Sequence, residues 1–312
     1  MAEPVALVAV VLDVAIGWPP ALYARIGHPV GGFARLIGFT EDRWNGATLS
    51  FAKRRVAGIL ALLLLLGVTI GIALALVALV RFVLGPAAWI GLGLLAAPGL
   101  AIRSLQDHVA PCATALEAGD LDAARTRVGM IVGRDVTSLD ETGVACAAIE
   151  SLAESVCDGV VAPVFWLLVA GVPGLWAYKA INTADSLIGH REDRWRAFGW
   201  AAARTDDLVN LVPARISGLL ICIAGGGGWR TMLRDAGRHA SPNAGWPEAA
   251  MAGALGVRLA GPLAYDGVGI AKPYIGDGRT DVASTDIRRA LQVYRRLIGI
   301  LLVIAGGMAW LL

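Results

Sequence analysis

The chain has 312 residues, of which 56% are hydrophobic and 17% charged, with a mean hydropathy of +0.64 and a formal net charge of +2. An ordinary globular domain carries about 25% charged residues, so this much apolar surface cannot be hidden in one soluble core. The small net charge and the lack of a basic tract with interleaved aromatics exclude nucleic-acid binding. Four cysteines without C-x-x-C spacing or partnered histidines favour reduced thiols over zinc or a disulfide framework.

The first apolar segment covers residues 5–23 and lacks the basic leader and cleavage pattern of a signal peptide, so it reads as a retained segment. Asp13 within it costs about 2.5–3.5 kcal/mol at mid-membrane and is expected to face protein or water. The stretch that follows, to Arg55, holds six Lys or Arg against Glu41 and Asp42, which places it in the cytoplasm by the positive-inside rule. Residues 56–80 and 82–102 are charge-free runs of 25 and 21 residues. Each is long enough for a hydrocarbon core of about 30 Å, and they predict a helical hairpin turning at Gly85-Pro86. A polar helical portion, 103–158, follows on the cytoplasmic side.

Residues 160–178 are apolar but interrupted by Gly171-Val172-Pro173-Gly174, a strong turn signal. A strict count of apolar runs would put the polar portions 103–158 and 179–207 on opposite faces of the bilayer. A re-entrant pair of short helices turning at Gly171–Gly174 brings both to the cytoplasm. Further apolar segments cover 208–228 and 297–312, and between them the polar portion 229–296 carries ten Lys or Arg. The expected class is an all-α, polytopic helical membrane protein. It forms a single integral-membrane domain, 1–312, with helical and loop-rich cytoplasmic portions.

Polar residues concentrate in four strings. In the first, Gly133 to Glu141 with Arg134 and Asp135, Ser138 is expected to cap a helix whose next turn supplies Glu141. The second places Glu150, Glu154 and Asp158 at i, i+4 and i+8 on one helical face, with no Lys or Arg between Arg134 and Lys179. Like charges at that spacing repel, which calls for a cation there, and a hard divalent ion such as Mg²⁺ meets that need. The third joins Lys179, Asn182 and Asp185 to Arg204, Asp206, Asp207 and Asn210, close to Arg215. Boundary charges of this kind are functional candidates, and guanidinium forks suit phosphate or carboxylate groups. The fourth, from Arg238 to Gly253, contains Ser241, Asn243, Trp246 and Glu248, with Pro242 and Pro247 as turn and helix-start residues. No phosphate-binding glycine loop, nucleophile elbow or H-E-x-x-H occurs, and the four scattered histidines read as structural.

In their order, these strings resemble the CobD/CbiB family of cobalamin biosynthesis, the membrane-bound adenosylcobinamide-phosphate synthases. The likeness runs through Leu12-Asp13, His28-Pro29, Gly133-Arg134-Asp135, Leu139-Asp140, Glu150 to Glu154, Asp158-Gly159 and Asn182-Thr183-Ala184-Asp185-Ser186. It continues through Phe198-Gly199-Trp200, Arg204-x-Asp206-Asp207, Pro213-Ala214-Arg215 and Ser241-Pro242-Asn243-Ala244-Gly245-Trp246-Pro247-Glu248, covering essentially the whole chain. Ser155-Val156-Cys157 departs from the family's polar turn at that point. The resemblance implies ATP-dependent amide formation between aminopropanol, or its phosphate, and the propionate carboxyl of adenosylcobyric acid. Under it, Glu150, Glu154, Asp158, Asp206 and Asp207 are expected as Mg²⁺ ligands or as a base for the amine. Arg134, Lys179, Arg204 and Arg215 are expected as phosphate or carboxylate clamps, and Asp135, Asn182, Asp185, Ser241, Asn243, Trp246 and Glu248 as further substrate-binding residues. Trp195, Trp200 and Trp246 are expected to line the corrinoid mouth. It places the protein in the inner membrane with a cytoplasmic site and leaves open association with other membrane enzymes of the pathway. Two rival classes share the membrane signal. An intramembrane prenyltransferase is suggested by Asn182-x-x-Asp185, although Gly189 stands where a further acid is wanted, and a transporter is suggested by Asp13, Arg215 and the glycine-interrupted segments.

Overall fold

A computed structural model describes residues 4–133, 135–261, 263–265, 268–270 and 273–311; the side chains of 263–265, 268–270 and 311 are not described. The first five helices are α1 (Val5–Ala15), α2 (Pro20–Ile26), α3 (Pro29–Trp44), α4 (Phe51–Leu84) and α5 (Ala88–Ala96). Next come α6 (Ile102–Glu117), α7 (Leu121–Gly129), α8 (Glu141–Val156), α9 (Ala162–Ile188), α10 (Trp200–Val209) and α11 (Leu211–Gly225). The chain ends with α12 (Trp229–Asp235), α13 (Gly245–Leu255) and α14 (Ser284–Leu311). Between α13 and α14, β1 (Leu259–Ala260) pairs antiparallel with β4 (Tyr274–Ile275), and β2 (Leu263–Tyr265) pairs antiparallel with β3 (Val268–Ile270). These four short strands are the departure from an all-α chain. Three to five helical stretches among the described residues are long and apolar enough to cross a membrane. The class is therefore the polytopic helical one the composition predicts.

Two compact units divide the chain: residues 1–101, 162–210 and 305–312 form one, and residues 102–161 and 211–304 the other. The first is built around α4, a helix of 34 residues and so about 51 Å long. Ser50 caps its start by accepting from the Lys53 N–H, and Gly85 ends it at φ +51°. Leu60, Leu63, Ile72, Leu79 and Phe82 stay exposed along it, the pattern of a helix that faces lipid tails. The next arm is shorter than the run 82–102 suggests. After a 3₁₀ turn at Gly85–Ala87, α5 and a second 3₁₀ turn reach only Gly99, about 18 Å of helix. The inner face of α4 packs with α3, α9 and α10 through Ile37, Leu62, Leu65, Ile181, Ala184 and Phe198. Gly58 makes this possible, because a β-carbon there would run into the Phe198 carbonyl oxygen.

Helix α9 breaks at Ala170 and Gly171, where Gly171 adopts φ +65°, ψ −162°. The chain doubles back there. A β-carbon on Gly174 would lie 2.8 Å from the Trp166 carbonyl oxygen, an approach impossible for residues eight apart in a straight helix. Trp166 Nε1 donates to the Val209 carbonyl at 3.2 Å while the Tyr178 hydroxyl reaches Asn210 at 3.0 Å, so both arms come to adjacent residues. The turn lines a cavity of about 470 Å³ with Arg81 and Val77 of α4. At the other end of the unit, the side chains of Asn45 and Arg54 donate to the Arg194 carbonyl, tying the loop before α4 to the loop after α9.

In the second unit α8 is the central element, with Val144, Ala145, Ala147, Ala148, Ile149, Leu152, Ala153 and Val156 fully buried. Its start corrects the expected cap. Asp140, not Ser138, occupies the N-cap, its Oδ1 accepting from the Gly143 N–H at 2.7 Å. Both residues satisfy a capping pattern in sequence, and the chain entered the helix two residues later than the S-x-x-E reading requires. A π-helical turn, Cys157–Val161, follows α8 directly. Helix α14 begins at Ser284, well before the apolar run 297–312, because Asp286 caps it by accepting from the Ala283 N–H. No disulfide joins any of the four cysteines among the described residues.

Candidate functional site

In the first unit, Asp206 is the centre of a buried polar chain. It is 9% exposed, and its Oδ1 accepts from Asn182 Nδ2 at 3.4 Å while Oδ2 accepts from Asn210 Nδ2 at 3.0 Å. The Tyr178 hydroxyl then donates to Asn210 Oδ1 at 3.0 Å. Helical spacing produces this arrangement. Tyr178 precedes Asn182 by four residues on α9, and Asp206 precedes Asn210 by four at the end of α10, so two polar edges face each other. Asp207 points differently and pairs with Arg204 at 3.0 Å, three residues before it. Lys179 and Asp185 are half-buried on α9. Gly189, which ends that helix by donating to the Asp185 carbonyl at 2.7 Å, leaves no room for a β-carbon beside the Asp185 carboxylate.

The second unit holds two groups of the predicted residues. Arg215 on α11 donates from Nη1 to Asn243 Oδ1 at 2.8 Å and to the Leu211 carbonyl at 2.9 Å, and its Cζ lies 4.8 Å from the Trp246 ring centre. Asn243 is 6% exposed. Ser241 organises the turn, its Oγ accepting from the N–H groups of Asn243 and Ala244 at 3.2 and 3.3 Å. The buried Glu248, one turn into α13, lies 3.7 Å from His239 Nε2. A guanidinium set over an indole and anchored by a buried amide can present its remaining donors to an anion.

The acidic string runs from α8 into the turn that follows it. Glu150 and Glu154 lie on α8, and Asp158 falls in the π turn that follows it directly. Glu150 is half-buried, and its Oε1 accepts from the Ala260 N–H at 2.8 Å, at a residue with the left-handed φ of +54°. Glu154 is exposed and Asp158 half-buried. Asp135 is exposed, and the Thr137 N–H and hydroxyl, at 2.9 and 2.8 Å, hold its carboxyl below the usual carboxylate range. Arg134 lies outside the described residues.

Glu150, Glu154, Asp158, Arg215, Ser241, Asn243, Trp246 and Glu248 thus belong to one unit, and Lys179, Asn182, Asp185, Arg204, Asp206 and Asp207 to the other. Among the described residues no three His, Cys, Asp or Glu side chains converge as a preformed metal cage. Trp195 donates to Glu41 at 2.8 Å and Trp200 lies under Arg55. Tyr178 and His239 join these clusters beside the residues predicted from the motifs. Tyr178 had a signal in its four-residue spacing to Asn182; His239 had none, since its contact depends on a turn. Three other histidines make local bonds: His28 Nδ1 accepts from the Val30 N–H, while His108 and His190 contact the carbonyls of Ser104 and Ser186.

Comparison with known proteins agrees with these motifs. The family described as CobD/Cbib protein matches residues 6–294. A cobalamin biosynthesis protein CobD of Rhodobacter capsulatus is 52% identical over 309 residues, covering 97% of this chain and 96% of the relative. A protein of the same name from a Sinorhizobium species is 48% identical over 307 residues, covering 94% and 95%. No solved structure matches. The chain belongs to the CobD/CbiB family and is a multi-pass membrane protein of cobalamin biosynthesis.

Proposed function

We propose that this protein joins aminopropanol, or aminopropanol phosphate, to the propionate carboxyl of adenosylcobyric acid at the expense of ATP, giving cobinamide or its phosphate. The observation that carries this reading is the buried Asp206, bound by two side-chain amides in a membrane protein of this family. A buried carboxylate is costly unless it is hydrogen-bonded, and such groups mark candidate functional sites. An intramembrane prenyltransferase and a transporter share the membrane class but not this family.

A carboxylate is a poor electrophile, so the propionate is activated first. Its oxygen attacks the terminal phosphorus of ATP, ADP leaves, and an acyl phosphate remains. The amine nitrogen then attacks the acyl carbon, a C–N bond forms, and inorganic phosphate departs. Positioning and charge neutralisation are the main demands of the first step. Lys179, Arg204 and Arg215, with Arg134, are the cations assigned to phosphate and carboxylate groups. Mg²⁺ would be held by carboxylate oxygens of one unit, Glu154 and Asp158 or Asp206 and Asp207, donors suited to a hard cation that takes its remaining ligands from nucleotide phosphates and water. When bound it supplies charge neutralisation at the transferred phosphoryl group. The basic stretch before α4 supports a site on the cytoplasmic face of the inner membrane, where ATP is supplied, and the reversal of α9 at Gly171 supports a re-entrant pair over 160–178.

Complementation tests the reaction. A strain blocked at cobinamide formation should be rescued by this gene when fed cobyric acid. Growth on cobinamide but not on cobyric acid would refute the assignment. Glu154→Gln and Asp207→Asn, verified as folded, should each lower cobinamide formation by about 100-fold or more; wild-type rates would remove them from the site.

A further inference from the structure

We propose that Arg55, together with Arg204, binds a phosphate group of a substrate, either ATP or the phosphorylated amine, and that Trp200 is the positioning residue that holds Arg55. This rests on the amide-forming reading above, which supplies the phosphates. The packing of α4 brings these residues together. Gly58 lies so close to the Phe198 backbone that a β-carbon there would run into the carbonyl oxygen, and Arg55 stands three residues earlier on the same face of α4. That turn therefore meets the start of α10, where the Arg55 Cζ lies over the Trp200 ring, 3.5 Å from its centre. Trp200, Arg204 and Asp207 follow at i, i+4 and i+7, so they share one face of α10.

The two arginines at the head of α4 do different things. Arg54 fastens the loops: its Nε donates to Asn45 Oδ1 at 2.7 Å, and its Nη2 donates to the Asp193 carbonyl at 3.0 Å and to the Arg194 carbonyl. Arg55 has no such duty. Among the described residues no carboxylate or carbonyl accepts from its guanidinium, which is half-buried against the indole. A ring contact draws on the charge and uses none of the five N–H donors. Trp200 thus holds the cation in place while the fork stays open, the arrangement that suits a phosphate.

Arg204, one turn along α10, brings a second guanidinium to this face; it is 60% exposed, with Nη1 on Asp207 at 3.0 Å. Two guanidiniums match the three free oxygens and the higher charge of a phosphate better than the two oxygens of a propionate. Arg55 is also the last charge before the apolar run 56–80, on the side of the basic stretch, where the proposed reaction draws its ATP. A lipid headgroup phosphate reaches the same boundary, and the test separates the two sources.

The test measures binding apart from catalysis. Full-length protein in nanodiscs of zwitterionic lipid is unfolded by heat with ATP and Mg²⁺, aminopropanol phosphate, aminopropanol or cobyric acid, since a ligand of the folded state raises the midpoint according to its affinity. Arg55→Gln is expected to weaken binding of ATP or of aminopropanol phosphate by about 10-fold or more, leaving aminopropanol and cobyric acid at wild-type affinity. Which of the two phosphate compounds is affected names the source. Arg55→Lys, which keeps the charge, should recover part of the affinity. Trp200→Leu should weaken the same ligand, whereas Trp200→Phe keeps a ring and should not. Adding Trp200→Leu to Arg55→Gln should then cost nothing more, as for a residue that acts through another. Unchanged binding of both phosphate compounds, no binding of either by the wild type, or equal weakening of all four ligands would overturn the proposal. So would a difference between wild type and Arg55→Gln that arises only when anionic lipid is added, which would make Arg55 a lipid anchor. Wild-type protein that binds a phosphate compound through Arg55 and yet forms no cobinamide would leave this site standing and refute the amide-forming reading.

Discussion

Asp235 shows how a single buried carboxylate organises a loop here. Its side chain is 0% exposed and accepts from Arg234 Nε at 2.8 Å and Nη2 at 2.7 Å, with Arg238 at 3.2 Å and the Gly276 N–H at 2.9 Å. Arg234 also reaches Asp277 at 2.6 Å, so α12 is fastened to the loop after β4. The Arg234 hydrogen bonds come first among the causes that hold the Asp235 carboxyl below its ordinary value. A depressed folded-state pKa contributes stability that is complete above the unfolded value, about 3.9, and is lost as pH falls through the folded one. Asp235→Asn is therefore expected to destabilise the protein at neutral pH by about 2 kcal/mol, below the ~3–5 kcal/mol of a fully buried broken pair because both arginines are nearly half exposed. It should also flatten the loss of thermal stability on acidification below pH ~4. Unfolding of the purified protein across that range checks both. An unchanged acid profile would reassign the sensitivity to other carboxylates.

Among the elements, α4 and α9 depend on glycines for different reasons. Gly58 lets α4 lie against the Phe198 backbone, and a backbone carbonyl cannot move aside as a side-chain tip can. Gly58→Ala is expected to cost about 3 kcal/mol, read as lower thermal stability and yield. Gly171 needs its φ/ψ rather than its space, since nothing closer than Pro173 Cδ at 3.7 Å would meet a β-carbon. Gly171→Ala should cost less, about 1–3 kcal/mol of backbone strain. If the two variants proved equally mild, the close packing of α4 on the loop before α10 would be wrong. The break in α9 was legible because Gly-Val-Pro-Gly has few other uses inside an apolar run. The cap of α8 was not, because Ser138 and Asp140 offer equally plausible local chemistry and the path of the preceding chain decides between them. Nothing in Ser155-Val156-Cys157 marks the π turn that holds Asp158.

For the molecule as a whole, the testable quantity is its topology. Gly46→Cys, Thr137→Cys and Asp193→Cys, each in a chain whose four cysteines are replaced by alanine, should react with a membrane-impermeant maleimide from the cytoplasmic side only. Gly85→Cys should react from the opposite side. Labelling of Thr137→Cys and Asp193→Cys from opposite faces would show that 160–178 crosses the bilayer and would sink the re-entrant reading. Apolar runs of 25 and 21 residues already settle the membrane class, since transfer of such stretches to lipid depends on composition and length and on no distant partner. Family motifs are likewise local strings. Contacts are not. Tyr178 meets Asn210 across 32 positions and Arg215 meets Asn243 across 28, distances along the chain that no periodicity encodes. Which polar side chains share a buried site was decided only when the helices folded back on one another, because an unpaired polar group in an apolar interior is expensive and each must find its partner wherever packing places it.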